Sequence, residues 1–127
     1  MRKILLSIIM LFMVSIACVS QTNEKTPNNR YKLYSTENIY TFLQLDTRTG
    51  KIKLVQWSLK KNEEYAITLN DVDLTYGSAI GDNIDRFELY PTQNIYQFIL
   101  LDKATGDKWH VQWGTESTKR WIRPIEG

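Results

Sequence analysis

The sequence predicts an all-β protein made of two tandem four-stranded antiparallel meanders. Three observations predict it: an internal duplication, short runs rich in β-branched and aromatic residues, and turn signals between those runs. Residues 30–57 align without a gap to residues 86–113, and 15 of the 28 aligned positions are identical. An internal duplication of this kind indicates two structural repeats that bury one another. We therefore predict a single domain over residues 30–126, with repeats at 30–70 and 86–126 and a connector at 71–85.

Each repeat contains four predicted strands. They cover residues 30–34, 39–45, 52–58 and 64–69 in the first copy, and 86–90, 95–101, 108–114 and 120–125 in the second. The first strand precedes a turn-like tetrad that begins at Ser35 or Pro91. The second strand is apolar on both faces, which is typical of a central strand. The third strand follows a Thr-Gly turn, where Gly50 or Gly106 supplies the positive φ that a hairpin of this length needs.

The way in which the two repeats pack has several solutions. Four strands cannot bury a face alone, so the copies are predicted to cover each other as a sandwich or an eight-stranded barrel. Mutual burial about a pseudo-twofold axis predicts a monomer. The alternative is that each copy is one propeller blade and that the chain assembles with others, since a propeller needs at least four blades.

The N-terminus is typical of an export signal. Arg2 and Lys3 precede an apolar stretch at residues 4–19, which is shorter than a membrane-spanning helix requires. Residues 1–20 are therefore predicted to be a signal peptide, followed by a polar linker at 21–29. Cys18 follows Ser15, Ile16 and Ala17 in a pattern that resembles a bacterial lipobox, so it is a candidate for lipidation.

The place of cleavage has two interpretations. Lipidation at Cys18 predicts a protein anchored through lipid to the outer membrane or facing the periplasm. Ordinary cleavage after Ala17 or Ser20 predicts a periplasmic or secreted protein. On both interpretations the mature chain forms no internal disulfide, because Cys18 is the only cysteine.

The net charge of +2 belongs to the signal. Arg2 and Lys3 account for two of the 16 basic residues, which leaves 14 against the 14 acidic residues of the remaining chain. Binding to a nucleic-acid backbone depends on clustered Lys and Arg. Nucleic acid is therefore excluded as the expected partner.

No catalytic, metal or cofactor constellation is recognisable. His110 is the only histidine, and there is no Gly-x-Ser-x-Gly elbow. One His without a usable Cys cannot supply a zinc site of the usual kind. The aspartates of the connector fail the EF-hand pattern, because Tyr76 stands where that loop needs glycine, so an exposed acidic loop is expected. Asp46 and Asp102 each precede a Thr-Gly turn and are interpreted as turn residues rather than a glycosidase pair.

Aromatic and amide side chains are the remaining candidates for binding. Tyr40, Tyr96 and Trp109 are possible stacking surfaces for a sugar or a protein partner. Gln56 and Gln112 occupy matched positions beside apolar neighbours, where they either face water or pair with backbone of the other repeat. Trp57 and Trp113 are expected in the core instead, because they share a strand face with valines.

The segments that carry a family resemblance are the string NIYQFILLD at residues 94–102, then Thr105 and Gly106, then VQW at 111–113. With the duplication and the signal, they resemble small uncharacterised exported proteins and lipoproteins of Gram-negative bacteria. The resemblance implies a compartment, the cell envelope, and no assigned activity.

Two classes of function remain after these exclusions. The first is a non-enzymatic module that binds or scaffolds an envelope protein or glycan. The second is a small carboxylate-dependent hydrolase that acts on polysaccharide or peptidoglycan through Asp46, Asp102 or Glu116. Convergence of carboxylates in a cleft would favour the hydrolase.

Overall fold

The computed structural model describes residues 29–76 and 84–127. The predicted signal peptide, Cys18 and residues 21–28 of the linker lie outside the described residues, as do residues 77–83 of the connector. No helix within the described part of the chain is long and apolar enough to cross a membrane.

Eight strands form two antiparallel sheets, which confirms the predicted fold class. The strands are β1 (Tyr31–Ser35), β2 (Thr41–Asp46), β3 (Ile52–Gln56), β4 (Tyr65–Asn70), β5 (Phe87–Pro91), β6 (Gln97–Asp102), β7 (Lys108–Gln112) and β8 (Trp121–Ile125). The strand order is β1-β2-β3-β4 in one sheet and β5-β6-β7-β8 in the other, so each repeat is a simple meander. Because the ladders form two separate sheets, these strands do not close into one barrel. The doubly apolar strands β2 and β6 are central, as expected.

The observed turns agree with the predicted ones at Gly50 and Gly106 and differ from them at Pro91. Gly50 and Gly106 both have φ of +82°, which confirms the predicted hairpin geometry. Pro91 was expected inside a turn, but it is the last residue of β5. An edge strand tolerates proline because it leaves backbone N–H groups unpaired on one side. The turn therefore begins one residue later than predicted.

The two repeats bury opposite faces, and this decides how they are related. We call the side of a repeat that bears Leu43, or its counterpart Ile99, the front face, and the side that bears Phe42 or Phe98 the back face. The first repeat buries its front face in the core, and the second repeat buries its back face. The front-face core residues are Leu43, Leu45, Ile52 and Leu54, and the back-face core residues are Phe87, Leu89, Phe98, Leu100, Trp109 and Val111.

The sheets therefore stack front to back around one hydrophobic core. Under the expected pseudo-twofold axis, equivalent faces would meet, and Leu43 would oppose Ile99. Instead Leu43 is fully buried, whereas Ile99 lies on the opposite, outward side of its sheet and is 36% exposed. The pseudo-twofold prediction is wrong because the first repeat is more apolar on its front face and the second on its back face.

An arginine–aspartate ion pair, buried in the second repeat, fastens each repeat at the end where β2 and β6 finish. Arg86 pairs with Asp102 at 2.8 Å, with side chains only 2% and 1% exposed. Arg30 pairs with Asp46 at 2.9 Å in the first repeat, where the arginine is partly exposed. Both contacts are bidentate. We call this side of the molecule the turn end and the opposite side the loop end.

Candidate functional site

The loop end carries two matched Asn-Ile-Tyr loops. In the first repeat the Asn38 side-chain oxygen accepts a hydrogen bond from Tyr40 N at 2.9 Å. In the second, Asn94 accepts one from Tyr96 N at 3.0 Å. Side-chain acceptors of this kind replace a backbone turn and fix the loop. Both loops are thus rigid supports for the isoleucine and tyrosine that they expose.

A threonine closes each of these loops from the other side. Thr36 Oγ1 lies 2.8 Å from Thr41 O and accepts a hydrogen bond from Asn38 N. Thr92 Oγ1 lies 2.9 Å from Gln97 O and accepts one from Asn94 N. The same contacts in both copies show that identical residues build identical loops.

A tryptophan from the end of the third strand anchors each loop. Trp57 Nε1 donates to Ile39 O at 2.9 Å, and Trp113 Nε1 donates to Ile95 O at 3.0 Å. The ring centroids of each Tyr–Trp pair lie 5.1 Å apart. Trp113 is only 3% exposed, as expected for a core residue, whereas Trp57 is 38% exposed, so the core expectation was wrong for Trp57.

A groove lies between the two loops at this end. Its volume is about 570 Å³, within the range of ordinary ligand sites. The first repeat contributes Glu37 and Asn38, and the second repeat contributes the rest. The second-repeat lining is Asn94, Ile95, Tyr96, Gln112, Trp113, Gly114, Thr115, Glu116 and Lys119. The site thus exists only because the two repeats are packed together.

The residues that follow β7 form one wall of the groove, and contacts among them hold this wall in place. Arg120 donates to the carbonyl oxygens of Gly114 and Thr115 at 3.1 and 2.7 Å. Lys119 lies against Gly114 so closely that a Cβ there would be 2.6 Å from Lys119 Cβ. Lys119 Nζ also pairs with Glu116 at 3.7 Å. The first repeat has Ser58 and Glu64 at the positions of Gly114 and Arg120, so only the second repeat builds this wall.

The chemistry of the groove is polar with one aromatic side. Glu37 and Glu116 offer carboxylates, and Gln112 offers an amide. Tyr96 supplies an exposed ring that rests on Trp113. A lining of this composition can hydrogen-bond hydroxyl or amide groups while an apolar face of the ligand lies on the ring.

Of the predicted binding residues, the two tyrosines are exposed and the two glutamines are bonded within their own repeats. Gln56 accepts a hydrogen bond from Tyr65 Oη at 2.8 Å, and its amide lies 3.5 Å from Glu63 O. Gln112 bonds Gln97 at 3.2 Å and Lys119 O at 3.4 Å. The amides therefore reach backbone carbonyls of their own repeat, and the expected pairing with backbone of the other repeat is wrong for both glutamines. Gln112 and Tyr96 also line the groove, and their counterparts Gln56 and Tyr40 do not.

Trp109 is buried and does not line the groove. It is 5% exposed and packs against Phe87, with ring centroids 6.1 Å apart. The expectation that Trp109 forms a stacking surface is therefore wrong, because it lies on the buried back face of β7. His110, on the opposite face of the same strand, stacks on Trp121 and contacts Arg123. This environment agrees with a hydrogen-bonded surface histidine.

The carboxylates considered for catalysis do not converge. Burial raises the pKa of Asp102, but hydrogen bonds from Arg86 and from the turn together lower it by more. The pKa of Asp102 therefore lies below the ordinary value of 3.8. The pKa of Asp46 is lowered by the same opposing causes, with Arg30 as the partner. Both residues therefore bond turns, as predicted. Glu116 lies in the groove at the other end of the molecule with Glu37, a residue the sequence did not single out.

Two of the described aspartates of the connector, Asp73 and Asp85, bond to neighbouring residues. Asp73 accepts hydrogen bonds from Thr75 N and Oγ1 at 2.9 and 2.6 Å. Asp85 pairs with Lys32 at 3.0 Å and with Lys103 at 3.5 Å. Within residues 29–76 and 84–127, no group of three or more His, Cys, Asp or Glu side chains is placed to hold a metal ion.

The fold and groove define a class: a small all-β repeat protein with a groove of ligand size at the loop end. Comparison with protein-family models, with curated proteins and with solved structures gives no match.

Proposed function

We propose that this protein is an exported, non-enzymatic binding module of the cell envelope, and that its ligand occupies the groove at the loop end. The observation that carries the proposal is the groove itself, which combines rigid loops, an exposed tyrosine and convergent polar side chains. Rigid loops lower the entropy lost on binding, which increases affinity. The envelope address rests on the N-terminal signal and on the resemblance to exported proteins.

Between the two expected ligand classes, the lining favours a glycan over a protein. Carboxylate and amide groups are suited to sugar hydroxyls, which both donate and accept hydrogen bonds. The exposed ring of Tyr96 offers an apolar surface of the size of one sugar. The groove, of about 570 Å³, has the size of a small-ligand site. A stable protein interface instead buries about 800 Å² on each partner.

Binding is tested on the exported form of the chain with a glycan array and, in parallel, with capture from envelope extract. The variant is Tyr96→Ala, and its matched control is Tyr40→Ala, which removes the equivalent ring from the loop of the first repeat, where it does not line the groove. We expect a glycan signal that falls about tenfold or more in Tyr96→Ala and stays unchanged in Tyr40→Ala. Equal losses in both variants, or no signal on the array, would contradict the proposal.

The hydrolase alternative keeps one observation in its favour. Glu37 and Glu116 line the same groove, and glycosidases use two carboxyl groups. Release of reducing ends from polysaccharide or peptidoglycan that is abolished by Glu116→Gln would show that the protein is an enzyme rather than a binding module. The binding proposal expects no such release.

A further inference from the structure

We infer that the chain assembles with further copies of itself, the back face of the first repeat in one copy packing on the front face of the second repeat in the next. The reason is the front-to-back stacking of the two repeats. A contact between unlike faces leaves one face of each kind exposed, and such a contact can repeat in a ring or a stack. The inference departs from the monomer expected from the sequence. That expectation assumed a pseudo-twofold axis between the repeats, which the structure does not show.

The exposed faces keep many of the side chains that form the internal contact. On the front face, Ile99 and Leu101 are the counterparts of the buried Leu43 and Leu45. On the back face of the first repeat, Leu33 is the counterpart of the buried Leu89 and is 63% exposed. Leu33 and Ile99 are exposed and Leu101 is half-buried, and apolar side chains open to solvent on a sheet face indicate an interaction surface. The second copy fits it because the fold already contains the matching contact.

One hydrogen bond across the sheets illustrates the match. Leu89 N donates to Tyr34 Oη at 3.4 Å inside the core. The counterparts of these residues are Leu33 and Tyr90, which are identical in type and both exposed. Tyr90 Oη bonds Glu88 of its own strand instead, at 3.0 Å. A second copy stacked in the same manner would bring Leu33 N to Tyr90 Oη.

The glycine turns provide a second match. A Cβ on Gly50 would lie 3.2 Å from the Phe87 ring, because that ring covers the turn. The equivalent Gly106 has the same φ, yet a Cβ there would meet nothing within 4 Å. The counterpart of Phe87 is the exposed Tyr31. Stacking would therefore place Tyr31 of one copy over the uncovered Gly106 turn of the next.

The match is closest on the first two strands of each repeat, although Gln44 of β2 stands at the position of the buried Leu100. Farther along the exposed front face, Lys108, His110 and Arg123 replace the apolar residues of the first repeat. On the exposed back face, Lys53 replaces the buried Trp109. We therefore place the contact at β1–β2 of one copy and β5–β6 of the next.

The test measures the mass of the exported form by light scattering after size exclusion, over a range of concentrations. The variants Leu33→Asp and Ile99→Asp each disrupt one of the two exposed faces, and Leu59→Asp is the control, since Leu59 is 94% exposed and lies on neither face. Because all three side chains are exposed, the variants are expected to keep the wild-type circular dichroism spectrum. A monomeric wild-type chain at every concentration would overturn the inference without reference to any variant.

We expect a wild-type mass of two or more chains and a dissociation constant raised about a hundredfold in each face variant. Leu59→Asp should behave as the wild-type chain, and an equal loss in this control would contradict the assignment. Mixing the two face variants distinguishes the kind of contact. Each retains the face that the other lacks, so the mixture should form a heterodimer. Association that persists in one face variant alone would show a contact between like faces and overturn the inference, as would failure of the mixture to associate.

Discussion

Substitution of Asp102 by alanine tests how the turn end stabilises the fold. The carboxylate is 1% exposed and is bonded by both Arg86 Nε and Nη2 and by Ala104 N. Its removal takes the bidentate carboxylate partner away from a guanidinium that is only 2% exposed, which costs about 3–5 kcal/mol. For a domain of this size the melting temperature changes by about 4 °C for each kcal/mol, so a decrease of about 12–20 °C is expected.

The first repeat supplies the matched control for this substitution. Asp46→Ala removes the same bidentate contact, but the Arg30 side chain is 34% exposed and regains water when its partner is lost. Asp46→Ala should therefore destabilise distinctly less than Asp102→Ala. Urea denaturation followed by tryptophan fluorescence gives the free energy of unfolding for both variants. A loss below about 1 kcal/mol for Asp102→Ala, or equal losses for the two, would refute the assigned role of burial.

Two further predictions concern the same end of the molecule. Because the pKa values of Asp46 and Asp102 are lowered in the folded state, their stabilisation is present above the ordinary value of 3.8 and is lost as the pH falls through the lowered values. Melting temperatures measured from pH 5 down to 2 should fall steeply in the wild-type chain and less steeply in Asp102→Ala; parallel curves would contradict this. Gly106→Ala should cost about 1–2 kcal/mol for its positive φ alone. Gly50→Ala should cost more by chemical denaturation, since its Cβ would also lie 2.8 Å from Leu74 Cδ1, and equal costs would argue against that packing.

The sequence carries enough information to predict the strands and turns. It does not show which face of each sheet points into the core. Alternation identifies which side chains share a face, and the repeated Thr-Gly places both hairpins correctly. Strands β2 and β6 are apolar on both faces, so neither strand shows by itself which face is buried. A signal existed in the differences between the copies. Leu54 becomes His110 on the front face, while Gln44 becomes Leu100 on the back face.

The groove was only partly predictable because it combines residues that are distant in the chain. Repetition of an aromatic and an amide residue at matched positions indicates Tyr96 and Gln112. Glu37 belongs to the other repeat and differs from its counterpart Gln93, so repetition did not identify it. The Arg86–Asp102 pair was missed, although the identical Arg30 at the start of the other repeat was a signal. Trp109 was misassigned because burial of an aromatic residue depends on which face is inward.

The front-to-back stacking of the repeats is the central claim, and nuclear Overhauser contacts between the sheets test it most directly. The structure places Tyr34 Oη 3.4 Å from Leu89 N across the core. We therefore expect contacts between the Tyr34 ring and the Leu89 amide, and none between Leu43 and Ile99 within one chain. Contacts joining Leu43 to Ile99 within one chain, without those of Tyr34 to Leu89, would show equivalent faces packed together and would contradict the account.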